Sequence, residues 1–230
     1  MKKVFLGVGH GGTDSGAVGN GLKEKDLNLA IAKACAVELQ RSGVSVLMSR
    51  TKDENDPLNE EVKECNAYNP DLAVDVHNNA GGGDGCEVFY HIGGGVSKTL
   101  ADNILSEVVK IGQNSRGAKT RVNAQGKDYY GFIRMTKAPA VIVECAFIDN
   151  ANDIKIIDTE AERKTMGVAI AKGILKTLGV AYVPETKPTT PTNKLYKVQV
   201  GAYADKTNAD KMLAKLKAAG FDGVIVETNK

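Results

Sequence analysis

The chain contains no tryptophan and only three histidines, His10, His77 and His91, in 230 residues. A metal site built on imidazole therefore has few possible ligand sets, and any sugar binding cannot rest on indole stacking. Cysteine is sparse as well. Cys35, Cys65, Cys86 and Cys145 stand far apart with no C-x-x-C pair, which argues against a disulfide framework and against a cysteine-rich zinc site. Neither sign of charge is in excess, since 30 basic and 28 acidic side chains leave a formal net charge of +2. That balance excludes nucleic-acid binding by global charge, and an apolar content of 42% excludes a disordered chain. No run approaches the roughly 18 apolar residues of a membrane span, so no membrane insertion is expected. Met1-Lys2-Lys3 is followed only by the short apolar stretch Val4 to Val8, well below the roughly 7–15-residue core of a secretory signal. Synthesis in the cytoplasm without a signal peptide is therefore expected, with any export by another route.

What is present over residues 1–180 is an alternation of apolar runs and helical patterns. Lys3–Val8, Val44–Met48, Leu72–Val76, Cys86–Tyr90 and Ala140–Val143 read as strands. Asp26–Arg41, Ser97–Ile111 and Glu160–Leu178 carry apolar residues at helical spacing, the first two followed by Gly43 and Gly112. This alternation predicts an α/β fold with a mixed, mostly parallel twisted sheet and helices on both faces. Residues 181–194 read as a linker, because Pro184 to Asn193 holds three prolines and four threonines and no apolar side chain. Residues 195–230 read as a small β-α-β module with strands near Tyr196–Val200 and Val224–Val226 and a helix over Asn208–Ala219. Its 36 residues fall below the roughly 40 at which a domain folds without outside help. Such a module pairs with a second copy, packs on the first domain or is only marginally stable, and the sequence does not specify an oligomeric state.

Two places invite chemistry. Gly7-Val-Gly-His-Gly-Gly12 matches the dinucleotide pattern G-x-G-x-x-G, but no helix opens within the loop and the next strand ends in Ser49-Arg50 rather than an acid. The alternative begins with His10 at the end of the first strand and His77 at the end of Leu72–Val76, matching positions at the edge where α/β sheets hold ligands. Neutral imidazole is the commonest metal ligand, and catalytic zinc takes three protein ligands with one position left open. The third ligand could be Glu24, Glu144 or His91. Glu144 ends a buried strand, where a carboxylate is costly unless employed; Glu24 also reads as an acid at a helix start; His91 reads as an exposed loop residue. The residues alone leave Glu24 and Glu144 undecided. Cys86 and Cys145 lie in strand cores, so a cysteine nucleophile is the weaker reading.

Several longer motifs carry a resemblance. Gly9-His-Gly-Gly-Thr-Asp-Ser-Gly-Ala17, Gly19-Asn-Gly-Leu-Lys-Glu-Lys-Asp-Leu-Asn28, Val76-His-Asn-Asn-Ala80 and Pro139-Ala-Val-Ile-Val-Glu-Cys-Ala-Phe-Ile-Asp-Asn150 resemble zinc-dependent N-acetylmuramoyl-L-alanine amidases of the amidase-3 type, over roughly residues 3–179. The resemblance implies one zinc ion held by His10, Glu24 and His77, with Glu144 as the catalytic carboxylate. It places Asn79 on the family's H-x-N-A position and Arg116 to Lys119 beside the substrate groove. It further implies peptidoglycan, glycan strand and stem peptide together, as the partner. An enzyme of this kind without a signal peptide fits a phage or prophage endolysin released by a holin or by lysis, or alternatively a mother-cell autolysin of a sporulating bacterium; a cysteine-type wall peptidase is the less favoured chemistry. One departure is that Gly7-Val8 stand where the family usually has Asp-Pro. The segment from Tyr196-Lys-Val-Gln-Val-Gly-Ala-Tyr203 onwards is similar to the first half of a SPOR peptidoglycan-binding domain.

Overall fold

The computed structural model describes residues 1–185 and 198–227. In chain order the elements are β1 (Lys3–Val8), β2 (Val18–Gly19), β3 (Leu22–Lys23), α1 (Glu24–Arg41), β4 (Ser45–Met48), α2 (Leu58–Tyr68), β5 (Leu72–Asn79), β6 (Cys86–Tyr90), α3 (Val96–Val109), β7 (Ser115–Lys119), α4 (Gly131–Met135), β8 (Ala140–Phe147), α5 (Ala151–Ile154), α6 (Glu160–Leu178) and α7 (Lys206–Ala218). The chain divides into two units, Met1–Glu185 and Thr186–Lys230.

The first unit is built on a six-stranded sheet in the order β4-β1-β5-β8-β6-β7. The first four strands in that order run parallel, β6 pairs antiparallel with β8, and β7 runs parallel with β6. The central strands β1 and β8 are buried at nearly every position because both faces are covered, and the period of two divides the sheet's apolar side chains between two cores. Val4, Leu6, Val8, Val74, Val76, Val141 and Val143 point into the larger core with α1, α3 and α6. Phe5, Ala73, Ala140 and Ile142 point the other way, onto Val62 and Cys65 of α2 and Phe132 and Ile133 of α4. The expected mixed, mostly parallel sheet with helices on both faces is thus present. Local chemistry sets the helix ends. Thr159 and Glu162 form a reciprocal capping box at the start of α6, and Gly179 closes it in the left-handed region at φ 68°.

This topology decides which loops meet. The C-terminal ends of β1, β5 and β8 lie along one edge of the sheet, while the C-terminal end of the antiparallel β6 lies at the opposite edge. His10 and His77 are therefore neighbours, and His91, just after β6, is not.

In the second unit the helix is present as α7, started by the Asp205 side chain, which accepts from the Thr207 N–H at 2.8 Å. Of the expected flanking strands, Val198–Val200 and Val224–Val226 carry no ladder pairing among the described residues, and Tyr196 lies outside the described residues. The reason is the missing core. No residue of α7 is buried, and Val198 and Val224 are 91% and 84% exposed, so among the described residues no apolar core holds a strand pair that is marginal by itself. Of the expected linker, residues 186–194 lie outside the described residues. No helix of the described residues is long and apolar enough to cross a membrane.

Candidate metal centre

The site starts from three chain segments that the sheet edge brings together. His10 occupies the turn after β1 with φ 64°, a left-handed conformation uncommon outside glycine and one that folds tend to retain at functional positions. Glu24 is the first residue of α1, and the β2–β3 ribbon that precedes it turns the chain back over the edge. His77 lies near the end of β5, at a register shift between His77 and Asn79 that re-aims the strand.

Buried polar side chains lock these segments in place. Arg50 is only 2% exposed, and its guanidinium donates to the carbonyls of Val8 (3.0 Å), Gly9 (3.2 Å) and Lys25 (2.8 Å). One cation thus clamps the turn carrying His10 to the helix start carrying Glu24. Asn28 donates to the Gly9 carbonyl at 3.0 Å and accepts from Asn78 at 2.8 Å, which joins both to β5. Close approach requires glycine at two places. A Cβ on Gly9 would lie 2.2 Å from His77 Cε1, and one on Gly16, at φ 62°, would lie 2.6 Å from both Glu24 Oε2 and the His10 ring.

The two imidazoles converge on Glu24. His10 Nε2 lies 3.2 Å from Oε2 and His77 Nδ1 lies 3.0 Å from Oε1, with the rings edge-to-face at 5.1 Å. One ligand atom from each of the three residues falls within 4.8 Å of the others. The outer nitrogens are held as well, His10 Nδ1 by Asp14 at 2.8 Å and His77 Nε2 by Asp75 at 3.0 Å. Burial opposes ionisation of Glu24, but the hydrogen bonds from His10 and His77 and from the Ala17 N–H hold its carboxyl far below the usual range. This donor set fits a divalent cation of the zinc type: two imidazoles and one ionised carboxylate, with each ring oriented by a carboxylate behind it.

Glu144 is not part of that triangle. It stands opposite His77 in the β5–β8 register, and burial pushes its carboxyl up to about 7. Between Glu24 and Glu144, then, geometry brings Glu24 to the imidazoles and leaves Glu144 beside them as a titratable group. The third candidate, His91, pairs with Asp128 at 3.2 Å at the far edge.

The expected groove residues meet at one carboxylate that the sequence reading did not single out. Glu87 of β6 accepts from Asn79 Nδ2 at 3.0 Å, from Arg116 Nε at 2.8 Å and from Lys119 Nζ. Arg116 also lies 4.9 Å above the Phe147 ring. Burial disfavours the Glu87 charge, yet Lys119 and Arg116 keep its carboxyl below the ordinary value. Glu87 is in register with Glu144, so this cluster adjoins the same edge. Asp14 and Asp75 were also missed. Asp75 had one legible signal: a charged residue inside an apolar strand, two positions from His77 and hence on its face. The cysteines are inert. All four are buried, and burial drives the Cys86 and Cys145 thiols well above their ordinary range.

The profile of the family described as N-acetylmuramoyl-L-alanine amidase matches residues 4–176. The chain belongs to this family. The amidase matches a SPOR domain profile over residues 171–227, a match that begins inside α6. It is 34% identical to the sporulation-specific N-acetylmuramoyl-L-alanine amidase of Bacillus subtilis (strain 168), covering 98% of this chain and 85% of that protein. It is 33% identical to the endolysin of Bacillus phage SPP1, over 84% of this chain and 75% of that protein. Among solved structures, the catalytic domain of the amidase CwlV from Bacillus (Paenibacillus) polymyxa var. colistinus aligns with a TM-score of 0.71 at 29% identity, covering 79% of this chain and all of that one. This amidase acts on the cell wall, with peptidoglycan as its substrate.

Proposed function

We propose that this amidase is a zinc hydrolase that cleaves the amide between the lactyl group of N-acetylmuramic acid and the L-alanine of the stem peptide. The observation that carries the reading is the convergence of His10 Nε2 and His77 Nδ1 on the Glu24 carboxylate. His10, Glu24 and His77 would hold one zinc ion. When bound, zinc supplies a Lewis acid that polarises the scissile carbonyl and lowers the pKa of water toward about 7.

The chain's own residues do the rest. Asp14 and Asp75 fix the two rings, so each imidazole offers the nitrogen facing Glu24. Glu144, beside His77, takes the proton from the attacking water and delivers it to the leaving amine nitrogen. A carboxyl near 7 suits both halves of that transfer at neutral pH. Asn79, Arg116 and Lys119, gathered on Glu87, line the approach and meet the polar, acidic stem peptide. In this reading residues 1–180 form the catalytic part, 181–194 the linker and 195–230 the wall-binding tail.

For the setting, the similarity to a sporulation-specific relative spans 98% of the chain and includes the tail, which supports a lytic enzyme of the sporulating mother cell. The endolysin relative, over 84% of the chain, supports a phage or prophage setting as the second reading. A holin gene beside this one would favour the latter. For the chemistry, digestion of purified peptidoglycan should release new alanine amino termini without new reducing ends. New reducing ends without amino termini would refute the bond assignment.

A further inference from the structure

Behind His77, on the side away from Glu24, lies a second pair of carboxyl groups. Asp75 holds His77 Nε2 with its Oδ2. Its other oxygen, Oδ1, is buried without a hydrogen-bond partner among the described residues, and so is Oε1 of Glu61 on α2. Both residues are buried, Asp75 at 3% and Glu61 at 5% exposure. The two orphaned oxygens flank one point in space. A Cβ built on Gly7 would lie 2.2 Å from Glu61 Oε1 and 2.7 Å from Asp75 Oδ1, and Gly7 pairs with Asp75 across β1 and β5. The missing side chain at Gly7 is therefore what makes room for both carboxyls, at the position where the sequence departs from its family's usual Asp-Pro.

Two ionised carboxylates in that space would repel and would present only acceptors to each other. A single proton between them satisfies both oxygens. A charged carboxylate is the stronger acceptor for His77 Nε2, which favours placing the proton on Glu61. Burial, together with the negative charges of Asp75 and Asp56, favours the neutral acid there.

We propose that Glu61 is a positioning residue of this amidase: as a neutral carboxylic acid it donates a hydrogen bond to Asp75 and so holds Asp75 against His77 Nε2. The outer ring nitrogen then keeps its proton, and Nδ1, which faces Glu24, is the nitrogen that would give up its proton and serve as the ligand atom when zinc binds. The inference rests on the zinc reading of the His10–Glu24–His77 site.

Two substitutions of nearly equal volume separate donation from packing. Glu61→Gln keeps a donor aimed at Asp75, whereas Glu61→Met fills the space without one. Zinc affinity of the full chain is read by competition with a chromophoric chelator, alongside melting of the metal-free forms. Glu61→Gln should bind zinc within about threefold of wild type, and Glu61→Met should lose about 10–100-fold, the usual cost of a lost partner behind a ligand, with metal-free melting of the Gln variant unchanged. A Met variant that binds zinc as tightly as wild type overturns the proposal. So does a Gln variant that loses affinity, whatever the Met variant does. Wild-type protein that binds no zinc would overturn the metal centre itself and this inference with it, whereas tight wild-type binding unaffected by Glu61→Met removes the inference alone.

Discussion

His77 and Glu144 stand opposite each other in the register of β5 and β8, and their surroundings differ sharply. His77 is held between the carboxylates of Glu24 and Asp75 at 3.0 Å each, which raises its affinity for a proton despite burial. Glu144 is pushed by burial to about 7. One neighbour is a ring held in place by a carboxylate at each nitrogen, and the other is a carboxyl set to exchange a proton near neutral pH.

Stability should report the half-buried Glu144 directly. Its folded pKa of about 7 lies above the ordinary 4.5, so between those values the folded state binds the proton that the unfolded chain has released. Stability from this group therefore falls as pH rises through that window and stays low above it. In the metal-free protein, Glu144→Gln removes the penalty. It should be more stable than wild type at pH 8 by on the order of 2 kcal/mol, reduced from the full shift because the side chain is partly exposed, and about equal to it at roughly pH 4, below the ordinary value. Urea unfolding at the two pH values measures this, and equal stability at both would contradict the assignment.

Inhibitor chemistry should follow the burial of the cysteines. Cys86 and Cys145 are 0% exposed and their thiols are held protonated, so a thiol-alkylating reagent should leave activity intact. A strong zinc chelator should abolish it, and added zinc should restore it. Loss of activity on alkylation of the native protein would instead revive a cysteine mechanism.

Space at Gly9 should matter more than its small size suggests. An alanine methyl would meet the His77 ring at 2.2 Å, and the ring is flanked by fixed carboxylates with nowhere to retreat. Gly9→Ala should lower zinc affinity at least tenfold, in the range seen when ligand support is lost. Equilibrium dialysis checks it; unchanged affinity would show that the turn relaxes freely.

The Glu87 cluster should act on binding. Arg116→Ala removes one of two cations from Glu87 and the stack on Phe147, leaving the ligands and Glu144 in place. KM for peptidoglycan should rise severalfold, roughly 1 kcal/mol of binding, with kcat little changed. An equal fall in kcat without a KM change would place Arg116 in the chemical step.

Much of this was legible in the chain. The apolar runs of β1, β5 and β8 and the periodicity of α1, α3 and α6 mark themselves, since each buries a continuous stripe, and β4 is an apolar run at the sheet's margin. His10 and His77 follow, because matching strand ends share an edge. Other parts were not legible, for physical reasons. β7, Ser-Arg-Gly-Ala-Lys, has no buried apolar residue, and its pairing depends on β6. The direction of β6, which sends His91 to the far edge, is a property of the sheet. Glu24 and Glu144 look alike along the chain and are told apart only by where α1 begins against β5. The tail has strand-like alternation, but alternation does not form a ladder without a core to bury it.

The most direct test of the central claim is zinc content per chain by elemental analysis, set beside amide cleavage, for Glu144→Gln and His77→Ala. Glu144→Gln should retain one zinc per chain and lose activity by about 10²–10⁴-fold, the share of a general base, while His77→Ala should lose both. A zinc-free Glu144→Gln, or a His77→Ala protein that keeps its zinc, would contradict the division between ligand and base on which the account stands.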